Sequence, residues 1–178
     1  FVEGELSKLL KLRKMNKVLD NMKNHYIVCG YGKTGKSVLE DLLEKGFEVV
    51  MIESNAERNE KLKEVYGQKF IHIDGDATDD AVLIQAGVER AKILISVLST
   101  DAENLFVTLS AKDLNKDVKV ITRVAETNST EKFRKAGADF IVSPIEIAKD
   151  RIISIATTSA DFFSFVEFAG AKEELKSY

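Results

Sequence analysis

The sequence predicts an α/β protein of the Rossmann type, a doubly wound parallel sheet in the strand order 3-2-1-4-5-6. Two observations support this fold class. Six short runs rich in Val and Ile alternate with amphipathic stretches, and a loop of spacing Gly-x-Gly-x-x-Gly follows the first run. Runs that are apolar almost throughout are typical of strands covered on both faces. Their alternation with helices indicates a parallel sheet, and the glycine loop indicates the Rossmann order.

The strands and helices are predicted in chain order from these patterns. The six apolar runs cover residues 25–30, 47–53, 69–74, 92–98, 118–124 and 139–143. The first helix of the core follows the glycine loop, and Gly46 is its predicted end. Four later helix starts are indicated by N-cap residues, three with Glu three positions later and one before a proline at the first helical position: Ser54, Thr100, Asn128 and Ser143.

Composition excludes several classes of protein. The chain of 178 residues has a formal charge of −3, so no nucleic-acid partner is expected. It has one cysteine, Cys29, which forms no internal disulfide and is predicted to be a buried apolar residue. No apolar stretch approaches the ~20 residues that span a bilayer. The chain begins with Phe1 rather than Met, so we expect a fragment, with any membrane segment upstream.

Residues 1–24 are predicted to form a basic amphipathic linker. They hold six basic and three acidic residues, and apolar side chains recur every three or four positions. This spacing indicates a linker helix that leads into the domain. Two interpretations stay open, a membrane-proximal linker and a solvated leader that packs loosely on its own domain.

Residues 144–178 are predicted to form a dimerisation helix and tail, after the Rossmann domain of residues 25–143. The helix from Pro144 is apolar on more than one side, and Phe-rich sequence follows it. A helix that packs on one sheet needs one apolar stripe, so apolar side chains on a second side must be buried against another surface. That surface is a second copy of the chain or a C-terminal lobe, unless the helix simply faces a wide core.

The glycine loop predicts a nucleotide site. Gly30 permits the turn out of the strand, Gly32 leaves room for a pyrophosphate, and Gly35 lets the helix pack closely on the sheet. The first helical turn, which begins with Lys33 and Thr34, presents N–H groups and a partial positive charge to phosphates. Lys33 is interpreted either as a further phosphate contact or as an exposed surface lysine.

Two charged residues extend the predicted site. Glu53 ends the second strand 23 residues after Gly30, close to the ~20 expected for the acid that accepts ribose hydroxyls. A carboxylate there disfavours a 2′-phosphate, so the predicted ligand is NAD(H) or an adenosine phosphate such as ATP, ADP or AMP. Arg123, late in the fifth strand, is expected to meet an anion, either a ligand phosphate or a neighbouring carboxylate.

Two more loops reach the same predicted edge of the sheet. Asp76 and Ala77 follow the third strand, where an adenine has room. Ser99 and Thr100 follow the fourth strand, beside the expected switch point of the topology. The alternative for both loops is helix capping, by Thr78 and by Thr100.

Catalytic and metal-binding patterns are not found. His25 and His72 are assigned to strands, and neither is placed as a general base. An EF-hand starting at Asp74 fails because Asp79 and Gln85 occupy the positions that need Gly and Glu. No metal ligand is therefore predicted. Only about 35 residues follow the core, so no substrate domain is expected and the chain is predicted not to be an enzyme.

Three ordered segments resemble one family. They are residues 25–53, residues 75–104 (GDATDDAVLIQAGVERAKILISVLSTDAEN) and residues 134–144 (RKAGADFIVSP). Together they resemble the RCK domains, regulators of potassium conductance, also called the TrkA N-terminal domain family. The resemblance covers about residues 24–165. It implies a nucleotide-sensing regulatory domain on the cytoplasmic face of the plasma membrane that gates a potassium channel. A peripheral subunit of a Trk/Ktr uptake system, or the cofactor domain of an NAD-dependent oxidoreductase, are the alternatives.

The resemblance also implies an assembly. RCK domains pair through the helix that here starts at Pro144, and four dimers form an eight-membered ring beneath the pore domain. Ligand binding changes the hinge angle of the dimer. The long basic lead-in before the first strand favours a channel over a peripheral subunit, which usually starts a few residues before that strand.

The resemblance implies roles for single residues, which we give as one set. The glycine loop and Lys33 would bind phosphates, Glu53 and Asn55 the ribose, Asp76 and Ala77 the adenine, and Arg123 would lie near phosphate. Ser54 is a further predicted cofactor-binding residue. Some calcium-gated members have carboxylates where this chain has Arg123 and Ala125. Calcium gating of that type is therefore not expected here.

Overall fold

Six parallel strands form one sheet in the order β3-β2-β1-β4-β5-β6 in the computed structural model, which describes residues 15–67 and 70–158. The predicted fold class and strand order are confirmed. The strands are β1 Tyr26–Cys29, β2 Val49–Glu53, β3 Ile71–Asp74, β4 Ile93–Ser96, β5 Lys119–Arg123 and β6 Phe140–Val142. Each is shorter than its apolar run, because the ends of the runs turn into the loops of the sheet edges.

Seven helices are described. They are α1 (residues 15–21), α2 Lys33–Glu44, α3 Ala56–Tyr66, α4 Asp80–Gln85, α5 Asp101–Leu114, α6 Thr130–Lys135 and α7 (residues 144–158). Short 3-10 turns precede β4 and α6. None of these helices is both long and apolar enough to cross a membrane.

The sheet is covered on both faces, which explains the continuous apolar runs. One core cluster joins strand residues such as Ile27 and Leu94 to Leu83 of α4 and Val107 of α5. A second cluster, on the other face, joins strand residues such as Met51 to Leu39 of α2 and Leu62 of α3. The helix α2 that follows the glycine loop therefore packs on the sheet through its buried face. The N-terminus of α2 lies at the carboxyl end of β1.

Two of the four predicted helix starts are correct, and the other two are displaced by one residue. Thr100 caps α5 in a complete capping box with Glu103, as predicted. Ser54 was the wrong cap for α3. The side chain of Asn55 accepts from Arg58 N at 3.0 Å, because Glu53 already binds the N–H of Asn55 and fixes this turn.

The prediction for Asn128 is also wrong, because residues 127–129 form a 3-10 turn and α6 begins after Ser129. The last helix begins at residue 144, as predicted. The carbonyl oxygen of Ser143 accepts from Ile147 N at 3.1 Å.

The helix α1 packs on the domain. Leu19 and Met22 are buried in the first core cluster. The guanidinium of Arg90 donates to the carbonyl oxygens of Met22 at 3.3 Å and Leu19 at 3.2 Å, which occupies orphan carbonyls at the end of α1. The rest of the predicted linker, residues 1–14, lies outside the described residues.

The chain divides into two units, Phe1–Val142 and Ser143–Tyr178. Within the second unit the described part is α7, and residues 159–178 of the predicted tail lie outside it. Five isoleucines of α7 are more than half exposed: Ile145, Ile147, Ile152, Ile153 and Ile155.

Candidate functional site

The glycine loop is a turn that requires glycine at two positions. Gly30 has φ +98°, and its N–H donates to the carbonyl oxygen of Ile52 at 2.9 Å. A Cβ added to Gly35 would lie 1.8 Å from the carbonyl oxygen of Gly30 and 3.2 Å from a methyl of Val97. Glycine at these positions therefore lets the loop turn back onto the start of α2 and onto the loop after β4.

Gly32, unlike Gly30 and Gly35, borders open space. It occupies the N-cap position of α2 at φ −79°, a conformation open to any residue, and a Cβ added there meets no atom within 4 Å. Its own lack of a side chain leaves the N-terminus of α2 without a side-chain cap, and the first turn contains no acidic residue. Lys33 and Thr34 are exposed in this turn. N–H groups in such a position bind anions.

Glu53 links the glycine loop to the turn after β2. Its carboxylate is only 4% exposed and accepts from Tyr31 N and Asn55 N, both at 2.7 Å. Arg58 Nη1 lies 3.5 Å from the same carboxylate. Each oxygen of an ionised carboxylate has two lone-pair directions. Oε2 is approached by both Tyr31 N and Arg58, whereas Oε1, which accepts from Asn55 N, can accept from a further donor such as a ribose hydroxyl. Ser54 and Asn55 are exposed beside it.

Two residues of this region were missed by the sequence reasoning. Tyr31 is buried, and its ring packs edge-on against Tyr66 with centroids 6.5 Å apart. Asn59 is fully buried in α3, and its amide donates to the carbonyl oxygen of Glu53 and to the Asp74 carboxylate, both at 2.8 Å. A polar residue between apolar helix positions was the available signal for Asn59.

The loop after β3, which was predicted to line an adenine, has one exposed and one buried residue. Asp76 is exposed, but its carboxylate accepts from both Thr78 N and the Thr78 hydroxyl. Ala77 is 3% exposed and belongs to the first core cluster. Its methyl therefore does not line a surface, and only its backbone remains for a ligand. The cap of α4 is Asp79 rather than Thr78, since Asp76 already binds Thr78.

The loop after β4 meets the glycine loop. The Val97 carbonyl oxygen and a Leu98 methyl lie within 3.2 Å of a Cβ added at Gly30. Ser99 and Thr100 are exposed at the end of this loop. The Thr100 hydroxyl donates to Glu103 at 2.7 Å within the capping box, so the capping explanation is confirmed and the ligand-lining role stays a prediction.

Arg123 ends β5 without a partner. It is half-buried, and within residues 15–67 and 70–158 its side chain forms no hydrogen bond or ion pair. Strand alternation places it on the same face as Ile121, which packs against the cluster that includes α2. A neighbouring carboxylate was one of the two expected partners of Arg123, and none is found in the described part of the chain. The second expected partner, a ligand phosphate, stays a prediction.

The two histidines and the cysteine are poorly placed to act as catalytic groups at the glycine loop. Burial lowers the pKa of His25, whose Nε2 lies 2.8 Å from the Ala86 carbonyl oxygen at the amino end of β1, away from the glycine loop. Burial also lowers the pKa of His72, which lies within β3. Cys29 is buried, and this raises its pKa to about 12, so a thiolate does not form at neutral pH. Among the residues the structure describes, no three potential metal ligands gather.

The family model described as the TrkA-N domain matches residues 26–144, more than half of the chain. Potassium channel protein 1 of Methanocaldococcus jannaschii is 41% identical over 177 residues, which are 98% of this chain and 52% of that protein. A Trk system potassium uptake protein TrkA homolog of Pyrococcus horikoshii is 30% identical over 75% of this chain and 60% of that protein. The chain spans about half the length of the channel relatives it matches.

Solved structures share the fold. The TrkA-N domain of the inner membrane protein ybaL from Escherichia coli superposes with a TM-score of 0.70 at 24% identity, over 76% of this chain and 98% of that one. GsuK bound to ADP superposes with a TM-score of 0.63 at 26% identity, over 70% of this chain and 32% of that one. The GsuK channel bound to NAD gives the same TM-score at 25% identity, over 69% of this chain and 22% of that one.

Proposed function

The chain belongs to the TrkA-N domain family, and from that premise we propose that it is the nucleotide-sensing regulatory domain of a potassium channel. It acts on the cytoplasmic face of the plasma membrane and is not an enzyme. The single observation that carries the proposal is the N-terminus of α2, which has no side-chain cap and open space at Gly32, beside the buried carboxylate of Glu53.

The proposed ligand is NAD(H) or an adenosine phosphate. Its phosphates lie on the first turn of α2, where the N–H groups and Lys33 supply positive potential. Its ribose hydroxyls donate to Glu53 beside Asn55, and Arg123 takes a second phosphate. The similarity to GsuK, which has been solved with ADP and with NAD, supports this class of ligand.

The proposed output is movement rather than chemistry. Two copies pair through α7, whose exposed isoleucines need cover, and four such pairs form a ring beneath the pore domain. Nucleotide binding changes the angle between the paired copies. A ligand shifts such an equilibrium only by its different affinity for the two states, so the bound nucleotide must contact the site differently in the open and closed arrangements.

A peripheral subunit of a Trk or Ktr uptake system is the second candidate, and the similarity to the TrkA homolog favours it. The channel is preferred because the match to the M. jannaschii channel covers 98% of the chain, against 75% for the TrkA homolog. An NAD-dependent oxidoreductase is the weakest candidate, since neither histidine lies at the carboxyl edge of the sheet where the glycine loop opens.

Titration calorimetry with ADP, AMP and NAD tests the proposal. In Gly32→Val the added Cβ meets no protein atom within 4 Å, so the fold should persist while ADP affinity falls at least tenfold, about 1.4 kcal/mol. Ser37→Val, on the exposed face of the same helix, is the matched control and should bind normally. Unchanged affinity in a folded Gly32→Val protein, or no nucleotide binding by the wild type, contradicts the proposal.

A further inference from the structure

The first residue of α5 binds a neighbouring loop. One oxygen of the Asp101 carboxylate accepts from Ala125 N at 2.8 Å, and the other accepts from Glu126 N at 3.0 Å. Both N–H groups belong to the loop that directly follows β5. An acidic residue in the first turn of a helix ordinarily favours its own helix N-terminus, but here both oxygens hold another segment.

The next turn of α5 holds the loop after β4. Asn104 is fully buried, and its side-chain oxygen accepts from the Ser96 hydroxyl at 2.7 Å and from Leu98 N at 2.9 Å. Its amide nitrogen donates to the carbonyl oxygen of Leu98 at 3.3 Å. Because Val97 and Leu98 lie against the glycine loop, α5 connects three loops at the carboxyl edge of the sheet.

Arg123 lies next to the loop that Asp101 binds. It lies two residues before Ala125, and no side chain of the described residues binds its guanidinium. The backbone beyond it is held from two sides, by the Asp101 carboxylate and by the bond from Val124 N to the carbonyl oxygen of Val142 at 2.9 Å. Because this side chain has no partner among the described residues, the position of its backbone sets the region that its guanidinium can reach.

We propose that Asp101 is a positioning residue for phosphate recognition, which fixes the loop after β5 so that Arg123 faces the phosphates held by α2. This inference rests on the proposed nucleotide-binding function. It assigns to Asp101 a role in affinity for the phosphate part of the ligand, with no contact between its carboxylate and the nucleotide.

The direction in which Asp101→Asn changes ADP affinity distinguishes a positioning role from simple electrostatic repulsion. A carboxylate at the phosphate edge repels an anion, so removing its charge should tighten ADP binding if charge alone matters. If Asp101 positions Arg123, removing one of its two accepting oxygens should weaken ADP binding instead. The two explanations therefore predict opposite changes for Asp101→Asn.

The experiment measures binding of ADP and of adenosine, which has no phosphate, to the whole chain. Asp101→Asn is expected to lower ADP affinity about fivefold to twentyfold, or 1 to 2 kcal/mol, and to leave adenosine affinity within twofold. Asp113→Asn, an exposed acid on the same helix, is the control and should change neither. Asp101→Glu keeps the charge but misplaces the oxygens, and it serves if Asp101→Asn does not fold.

Arg123→Gln completes the test. If Asp101 acts through Arg123, the double variant should bind ADP no more weakly than Arg123→Gln alone. Tighter or unchanged ADP binding in Asp101→Asn, an equal loss for adenosine, or additive losses in the double variant overturn the inference while nucleotide binding by the wild type still stands. A wild type that binds no ADP overturns both the inference and the proposed function.

Discussion

The ammonium group of Lys112 lies 2.7 Å from the carboxylate of Asp139, and this pair joins α5 to the start of β6. The same carboxylate accepts from Val120 N at 2.9 Å and from Lys119 at 3.0 Å. Burial by itself raises the pKa of Asp139, but these hydrogen bonds, first of all that from Lys112, outweigh it and lower the pKa to about 2.

Asp139 is therefore expected to stabilise the fold in a pH-dependent way. Because its folded-state pKa lies below the ordinary value of 3.8, its contribution is present above that value and is lost as the pH falls towards about 2. Asp139→Asn should cost about 1 to 2 kcal/mol at pH 7, and the difference from wild type should shrink near pH 3 in urea unfolding. Asp117→Asn, an exposed acid nearby, is the control. A difference that does not depend on pH would show that the charge of Asp139 is not what stabilises the fold.

Glu53 is expected to matter for both stability and binding. Glu53→Ala leaves the N–H groups of Tyr31 and Asn55 without their acceptor, which should lower the free energy of unfolding by about 1 to 3 kcal/mol. ADP affinity should fall as well, because the loop loses its link to β2. Glu57→Ala removes an exposed acid four residues later, in the first turn of α3, and should change neither quantity. Thermal unfolding with calorimetry of ADP binding measures both, and a fully stable Glu53→Ala protein would contradict the role assigned here.

Arg90 is expected to hold α1 on the domain. Arg90→Ala removes two donors from the carbonyl oxygens of Leu19 and Met22, at a cost of about 1 kcal/mol. Backbone amides of residues 17–22 should then exchange about fivefold faster with deuterium, a ratio equivalent to that energy, while those of β4 stay protected. Lys92→Ala, an exposed cation close by in sequence, serves as the control. Equal exchange in Arg90→Ala and wild type would mean that the buried Leu19 and Met22 side chains suffice.

The proposed pairing through α7 predicts a dimer in solution. Ile152, more than half exposed, is expected to lie within the paired surface, so Ile152→Glu should raise the dimer dissociation constant at least tenfold because a charge would be buried unpaired. Asp150→Lys, which alters charge at a polar position of the same helix, should leave the dimer intact. Sedimentation measures the change. A wild type that is monomeric at high concentration would remove this role of α7.

Local patterns were sufficient for the architecture. Six apolar runs and one glycine loop predicted the strand order, because strands covered on both faces and the turn after β1 leave their mark within a few neighbouring residues. The complete capping box of Thr100 was predicted for the same reason: Thr100 and Glu103 satisfy each other without help from the rest of the chain.

Helix starts were misplaced where neighbouring side chains compete for the same backbone groups. Ser54 and Asn55 both cap helices well, and the choice between them was made by Glu53, which holds Asn55 N in a turn fixed by Tyr31. Thr78 lost its predicted role to Asp79 because the Asp76 carboxylate occupies both its N–H and its hydroxyl. In each case several side chains compete for the same backbone groups, and residue type alone does not decide the outcome.

Periodicity and spacing along the chain predicted the sheet, its strand order and the glycine loop, because they express short-range physical requirements. Which polar groups pair within the protein and which stay unpaired depends on packing between distant segments. This packing left Arg123 without a partner among the described residues, turned the Ala77 methyl into the core, and paired Asp101 with a loop 24 residues away. Hydrogen bonds and ion pairs between segments far apart in the chain depend on how the segments pack, and no local pattern records them.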